Sequence, residues 1–393
     1  MNVPKLRFKE FNDEYKKVKF GDIVNYQKGF AFKSKDYKNS GVRIIRISDT
    51  TNNSIKKNNA IYINKEEAVK HKNVELITDD IMISSVGSKP PLYDSMVGKV
   101  VLIPEFINGS LLNQNAIRFR TKQDNQKYIY NYLKQRKYTR FIENIMRGNA
   151  NQRSITLEDL FEFELNIPSL NEQNKVSKLL SLLNKKIKLQ SKKIEDLKLF
   201  KLYTKHQIFN DYDEVFKLKD ILVKWNKKNK NNSVKYVESI SNKYGFISQS
   251  DQFEDRNVAS KNLNNYYIIE KGVFGYNPSR LNVGSLALKT NDKISVVSPL
   301  YECFTTSQNN QYLLEWFGSK YFRKETISKF EGGVRNTLNF SNLCEIEIRL
   351  PIIEKQNKYS NIFRMFNNKI ELEVKKLYKL QELKKGLMQN MFV

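Results

Sequence analysis

The chain has 393 residues and a mass of 46.3 kDa, enough for two to four domains at roughly 100–200 residues each. Apolar residues make up 40% and charged residues 28%, which excludes a disordered or collagenous polymer. No run approaches the roughly 18–20 apolar residues of a membrane helix. The formal charge of +26 asks for a polyanionic partner or an acidic surface.

Two cysteines, Cys303 and Cys344, supply no disulfide framework and set the chain in a reducing compartment. Two isolated histidines, His71 and His206, exclude a Cys/His zinc site. The opening Met1-Asn2-Val3-Pro4-Lys5-Leu6 has no apolar centre and is not expected to be a secretory signal.

In chain order, the first segment opens on Lys19-Phe20-Gly21-Asp22-Ile23-Val24 and then Gly29-Phe30-Ala31-Phe32-Lys33. The second run sets aromatics beside Lys33, as a core element or as a stacking platform. Short β-type runs follow at Val42–Ile47, Ile81–Ser85, Val100–Ile103 and Ala116–Arg120, and helical period returns over Gln126–Met146. Ser85 and Lys89 lie in the polar run Ile83–Lys89. Arg147, Asn151 and Arg153 lie in Arg147–Arg153, where Gly148 also reads as a helix stop.

A strand-like run, Phe163–Ile167, ends at Pro168, and Ser169-x-x-Glu172 predicts a capping box for a long helix over 171–209. Apolar residues recur at heptad spacing through Val176, Leu180, Leu183, Ile187, Gln190, Ile194 and Leu197, with one polar interruption at Gln190. The helix lysines also read as a solvated face.

The second segment opens on Lys217-Leu218-Lys219-Asp220-Ile221-Leu222, a weak echo of the first opening. It predicts strands at Lys235–Ile240, Tyr266–Ile269 and Lys293–Val297 and a helix near Asn310–Ile327. Between them, Lys271–Ser285 reads as strand, polar loop and strand. Asn277, Arg280 and Asn282 are residue types that pair bidentately with base edges. Gly284 and Ser285 suit close phosphate approach. Glu331–Asn336, with Arg335, matches Arg147–Arg153 in place and chemistry. Each of these loops also reads as an ordinary turn.

The end of the chain repeats its middle. Residues 163–209 align without a gap with residues 346–392. Ile167-Pro168-Ser169-Leu170-Asn171-Glu172-Gln173-Asn174-Lys175 recurs as Leu350-Pro351-Ile352-Ile353-Glu354-Lys355-Gln356-Asn357-Lys358. The second helix, over 354–392, has its own seam through Tyr359, Phe363, Phe366, Ile370, Glu373, Leu377 and Leu380. Gly386 is expected to fray its end. Such a helix spans roughly 55 Å, more than a small domain covers, so the two seams are expected to pair. Leu183, Ile187, Gln190 and Ile194 would then face Phe366, Ile370, Glu373 and Leu377. An antiparallel pair would bring Gln190 near Glu373.

The expected fold is therefore α+β: two similar globules separated by an antiparallel pair of long coiled-coil helices. The boundaries are 1–165 for the first globule, 166–212 for the central helix, 213–348 for the second globule and 349–393 for the distal helix.

Catalytic signals are missing from the sequence. There is no phosphate-cradling G-x-x-x-x-G-K-[ST] or G-x-G-x-x-G run. Lys89-Pro90-Pro91-Leu92-Tyr93 lacks the amide or acid of the methyltransferase Asn/Asp-Pro-Pro-Tyr run. Glu14-Tyr15-Lys16 and Glu382-Leu383-Lys384 match a nuclease-like E-x-K triplet without the preceding Pro-Asp. No catalytic and no metal-binding residue is assigned.

The order globule, repeat helix, globule, repeat helix resembles the specificity subunit of bacterial Type I restriction-modification systems. The resemblance rests on the strand-Pro-x-x-x-x-Gln junctions at Pro168/Gln173 and Pro351/Gln356 and covers the whole chain. The family's Glu-Gln is kept at Glu172-Gln173 and departs at Lys355-Gln356. Gly272–Ser285 and Gly245–Ser250 are similar to stretches of the family's target recognition domains.

The resemblance implies a non-catalytic, cytoplasmic reader of double-stranded DNA. Each globule would take one half of a split, asymmetric target, and the helices would set the gap. Two methylation subunits would bind that scaffold, and restriction-translocation subunits would join through them. S-adenosylmethionine, ATP and magnesium would belong to those partners, with no cofactor in this chain and no membrane. The alternatives are a self-sufficient DNA methyltransferase or nuclease with unrecognised motifs, and a coiled-coil nucleic-acid-binding adaptor.

Overall fold

Proline cannot donate to a sheet ladder, so a strand running into proline must stop there. Both repeat copies use this. Glu164–Ile167 stops before Pro168 and Glu347–Leu350 before Pro351, and a long helix follows each. The computed structural model describes residues 3–51, 54–89, 92, 95–149, 152–242, 244–249, 262–327 and 337–393. The chain divides into two compact units, residues 1–191 with 376–393, and residues 192–375. Each unit therefore takes one part of each long helix.

In the first unit, Lys16–Lys19 pairs antiparallel with Glu164–Ile167 and closes the globule on itself. Phe20–Ile23 forms one helical turn, hung from Phe163 by the Phe20 N–H to carbonyl bond of 2.8 Å. A four-stranded antiparallel sheet follows in the order Val24–Lys28, Ala116–Thr121, Ile81–Ser84, Val100–Leu102. A second sheet runs Ile61–Ile63, Val42–Ile45, Ser110–Leu112, Glu75–Leu76, with its middle pair parallel. One core joins Phe20, Phe119, Tyr128, Tyr132, Tyr138 and Phe163 to Val176 and Leu180 of the central helix and Met391 and Phe392 beyond the distal helix. The second sheet has its own core around Ile44, Ile45, Leu111 and Leu112.

The second unit repeats the plan. Glu214–Lys217 pairs antiparallel with Glu347–Leu350, and Leu218–Ile221 forms the same single turn, held by the Leu218 N–H to Ile346 bond of 2.9 Å. Its four-stranded sheet runs Leu222–Lys224, Glu302–Thr306, Phe274–Tyr276, Leu286–Leu288. The weak echo in the two openings is thus a real structural equivalence. The remaining pairs, Glu238–Ser241 with Gly245–Ser248 and Tyr267–Ile269 with Ser295–Val297, replace the first unit's second sheet.

Several expectations needed correction. Gln126–Met146 is two helices, Gln126–Tyr132 and Arg136–Ile145. Tyr132 and Tyr138 are both fully buried, and a spacing of six would turn them to different faces of one continuous helix. The span Asn310–Ile327 is likewise Asn310–Phe317 and Lys320–Ile327, with Gly318 at the break. The strand expected at Lys235–Ile240 lies at Glu238–Ser241. Ile47 leaves its strand for a short 3₁₀ turn, Ile47–Asp49. Gly386 does not end the distal helix, which runs Ile353–Asn390. Cys303 is buried, whereas Cys344 is only half-buried.

The central helix is Leu170–Asn210. Glu172, expected to reach back as a cap, is buried and takes Arg7 in bidentate fashion (3.0 and 2.8 Å) and the Tyr15 hydroxyl (3.0 Å). In the second unit Lys193 meets Glu373 at 3.1 Å, the Phe200 and Phe366 rings lie 5.4 Å apart, and Lys201 meets Asn367 at 2.7 Å. From Lys193 to Phe200 the partner falls from Glu373 to Phe366, which makes this pair antiparallel. All eight candidate pairing residues are at least half-buried: Leu183, Ile187, Gln190, Ile194, Phe366, Ile370, Glu373 and Leu377.

Gln173 and Gln356 are each 1% exposed. Gln173 accepts the Asn125 N–H (2.9 Å) and donates to Asp124 (2.8 Å) and the Pro168 carbonyl (3.0 Å). Gln356 accepts the Asn309 N–H (3.1 Å) and donates to Gln308 (2.7 Å) and the Pro351 carbonyl (2.8 Å). Removing either amide strands buried polar groups. Gln173→Ala and Gln356→Ala should each cost about 1–3 kcal/mol, read from urea unfolding of the full chain; an unchanged midpoint would show that the bonds are dispensable.

Burial, with Lys384 and Lys99 nearby, depresses the Lys134 ammonium to about 8. The folded state therefore releases this proton before the unfolded chain does. Wild-type stability should rise relative to Lys134→Met as pH climbs from about 8 towards the ordinary lysine value. A pH series of unfolding midpoints checks the sign.

Candidate nucleic-acid interface

The strand Val86–Gly87 continues the chain beyond Ile81–Ser84 and pairs antiparallel with Gln152–Ser154, which pairs with Arg147–Asn149. Two loops far apart in sequence thus share one small three-stranded sheet. Two glycines make this possible. A Cβ on Gly87 would sit 2.3 Å from the Ser95 carbonyl, and Gly148 has φ +112 with a Cβ position 2.6 Å from the Gln152 carbonyl.

Arg153 lies opposite both Gly87 and Gly148. It is half-buried, and its Nε is buried with no hydrogen-bond partner among the described residues. A buried, unmatched donor on a cation is costly unless a ligand completes it. Arg147 holds both Asp159 oxygens at 3.0 and 2.8 Å while staying largely exposed. Lys89 is exposed beside the sheet. Ser85 splices the sheets, donating its N–H to Asn115 (2.8 Å) and accepting from the Ile155 N–H (3.0 Å). Asn151 lies outside the described residues. Lys33 is not on this sheet but on the rim of a separate pocket, beside exposed Phe30 and buried Phe32.

In the second unit the equivalent strand is Phe274–Tyr276, so Asn277 follows it as Ser85 follows Ser84. The loop is a 3₁₀ helix, Pro278–Val283. Asn277 caps it by accepting the Ser279 N–H at 3.0 Å. Ser285 is 2% exposed, and its backbone closes the loop onto Asn277 and Arg280. These two residues build the loop, so no exposed Ser285 hydroxyl faces a phosphate. Arg280 is exposed on the turn. The Asn282 side chain and all of Arg335 lie outside the described residues.

No group of His, Cys, Asp and Glu that could hold a metal occurs among the described residues. Burial pushes the Cys303 thiol up to about 12, which removes its nucleophilicity. Among the described residues no helix is long and apolar enough to cross a membrane.

Sequence reasoning did not single out the partners of the junction glutamines. Asn125 caps the first globule's helix through Tyr128 N–H (2.9 Å) and donates to Asn174 (2.7 Å); Asn309 does the same with Tyr312 (2.9 Å) and Asn357 (2.7 Å). The signal was available as a second repeated pattern, Asn-x-x-Tyr, upstream of each junction.

Residues 12–199 match the family model for the Type I restriction modification DNA specificity domain. That match takes in the first globule and most of the central helix. It is similar along its whole length to the crystal structure of a Type I restriction-modification system S subunit from M. genitalium, with 15% identity and a TM-score of 0.63 over 100% of this chain and 99% of that one. It is also similar, with 13% identity and a TM-score of 0.55 over 98% of each chain, to a chain from a study of complex assembly and conformational transition of the type I R-M system. At these identities the likeness establishes the fold.

If Arg280 reads a base, Arg280→Ala should cost about 1–3 kcal/mol of specific binding and change only one part of the methylated sequence. Arg153→Ala should change a different part. Methylation mapping with unchanged sites and rates for both variants would remove these residues from the interface.

Proposed function

We propose that this chain is the DNA-recognition subunit of a Type I restriction-modification complex. The observation that carries the reading is the duplication: two globules of one plan, each locked by a buried glutamine to the head of a long helix, with the specificity domain matched on the first. Each globule reads one half of a split, asymmetric target. Arg153, Lys89, Arg147 and Ser85 act in the first, and Arg280 with its Asn277 and Ser285 scaffold in the second. Asn151, Asn282 and Arg335 are assigned the same role on their residue chemistry alone.

The chain itself catalyses nothing in this reading. Two methylation subunits dock on the paired helices, and restriction-translocation subunits join through them. S-adenosylmethionine, ATP and magnesium act on those partners. Basic loops set on a rigid sheet supply both phosphate attraction and base-edge hydrogen bonds, which is what a sequence reader without an active site requires.

The paired helices act as the ruler for the gap between half-sites. Adding the same whole number of heptads to both helices, in the chain purified with its methylation subunits, should lengthen the unspecified gap and leave the half-site bases unchanged. Sequencing of methylated random DNA reads this directly. A continuous target, or a gap indifferent to helix length, would overturn the ruler.

A further inference from the structure

The first unit has a second basic surface away from the Arg153 sheet. A pocket of about 490 Å³ is walled by Phe30, Phe32 and His71, with Lys33, Lys35 and Lys38 on its rim. The His71 ring lies 4.1 Å from Phe30, tilted by 35°, and meets Phe32 edge-on at 5.1 Å. Glu67 is engaged by Lys70 at 2.8 Å and lies 3.3 Å from His71. Asp36 is the other carboxylate of the lining. All three rim lysines are exposed, and among the described residues none of them enters an ion pair. An aromatic floor under cations on flexible stems suits an anionic ligand with an apolar body.

The pocket is tied to the Arg153 sheet through one turn. The Phe30 N–H donates to the Leu112 carbonyl (3.0 Å), the Gln114 N–H to the Phe30 carbonyl (2.9 Å), and the Ser85 N–H to the Asn115 carbonyl (2.8 Å). Gly29 permits the approach, since a Cβ there would lie 1.9 Å from the Asn113 carbonyl. The floor of the pocket and the root of the Arg153 sheet therefore hang on the same stretch of backbone.

We infer that this pocket is a second DNA-binding site, which grips the sugar-phosphate backbone beside the half-site read by the first globule without reading sequence. The inference rests on the proposed role in DNA recognition. Lysine ammoniums are point charges on flexible stems and take phosphates without the fixed fork that base edges demand. The exposed Phe30 face offers a surface for deoxyribose.

The test is Lys33→Ala/Lys35→Ala/Lys38→Ala in the full chain purified with its methylation subunits. Duplex binding is measured across a salt series and the methylated sequence is mapped. The plot of log affinity against log salt should become shallower by about 2–3, as expected for the loss of three phosphate contacts. The methylated sequence should stay the same, and the triple Arg variant should restore the slope. A wild-type slope in the alanine variant would overturn the pocket alone, as would a changed target sequence, which would make these lysines base readers. Absence of duplex binding by the wild-type complex would overturn the recognition role and the pocket with it.

Discussion

A buried side-chain amide at the head of each long helix holds the structure together. Gln173 and Gln356 each satisfy a backbone N–H from the globule's own helix and the carbonyl of the proline that ends the last strand. One side chain thereby joins three elements: strand end, globule helix and long helix. An apolar residue of similar size would fill the space and leave those backbone groups unmatched in a dry site, at a cost of several kcal/mol in unfavourable cases. The direction in which each helix leaves its globule follows from this one contact.

The neighbouring position shows how such a joint tolerates change. Glu172 sits in an electrostatic clasp with Arg7 and Tyr15, and burial together with the Glu172 carboxylate pushes the Tyr15 hydroxyl up. At the equivalent position of the second copy stands Lys355, which takes Asp211 at 3.2 Å and Asp213 at 3.3 Å. The sign is reversed on both sides, so the clasp survives. The departure from Glu-Gln that the sequence displays is thus compensated locally by acids just ahead of the strand Glu214–Lys217.

The duplicated plan was legible because it is written in contiguous residues: a strand, a proline, a glutamine and a heptad seam. The helix breaks were less legible. Apolar period alone does not register that Tyr132 and Tyr138 must share a core. The candidate loops were legible as residue chemistry, but the geometry that brings two of them together was not. The pairing of Val86–Gly87 with Gln152–Ser154 joins segments far apart in sequence, and neither encodes it locally. Asn277 and Ser285 were singled out for chemistry that the loop uses on itself, which is the usual competition between side-chain caps and ligand contacts in Asn- and Ser-rich turns.

The seam between the helices was expected to be polar where Gln190 and Glu373 fall. In the second unit the partner of Glu373 is Lys193, at 3.1 Å, with Lys369 at 3.5 Å, and the carboxylate is only 1% exposed. A buried carboxylate adds little net stability, because desolvation consumes most of the Coulomb gain, but leaving it unmatched is expensive. Register therefore matters more than affinity here. A slip of one heptad along the central helix would set Phe200 where Lys193 stands and would part Phe200 from Phe366. Glu315 resists the same slip. Although burial pushes its carboxyl up, Lys205 and Lys201, both at 2.9 Å, outweigh that and hold it below the ordinary value. Asn367 of the distal helix also donates to it, at 3.1 Å. Two buried carboxylates thus fix the helices to each other and to the globule's helix Asn310–Phe317, and only a change made equally in both helices preserves every one of those pairs.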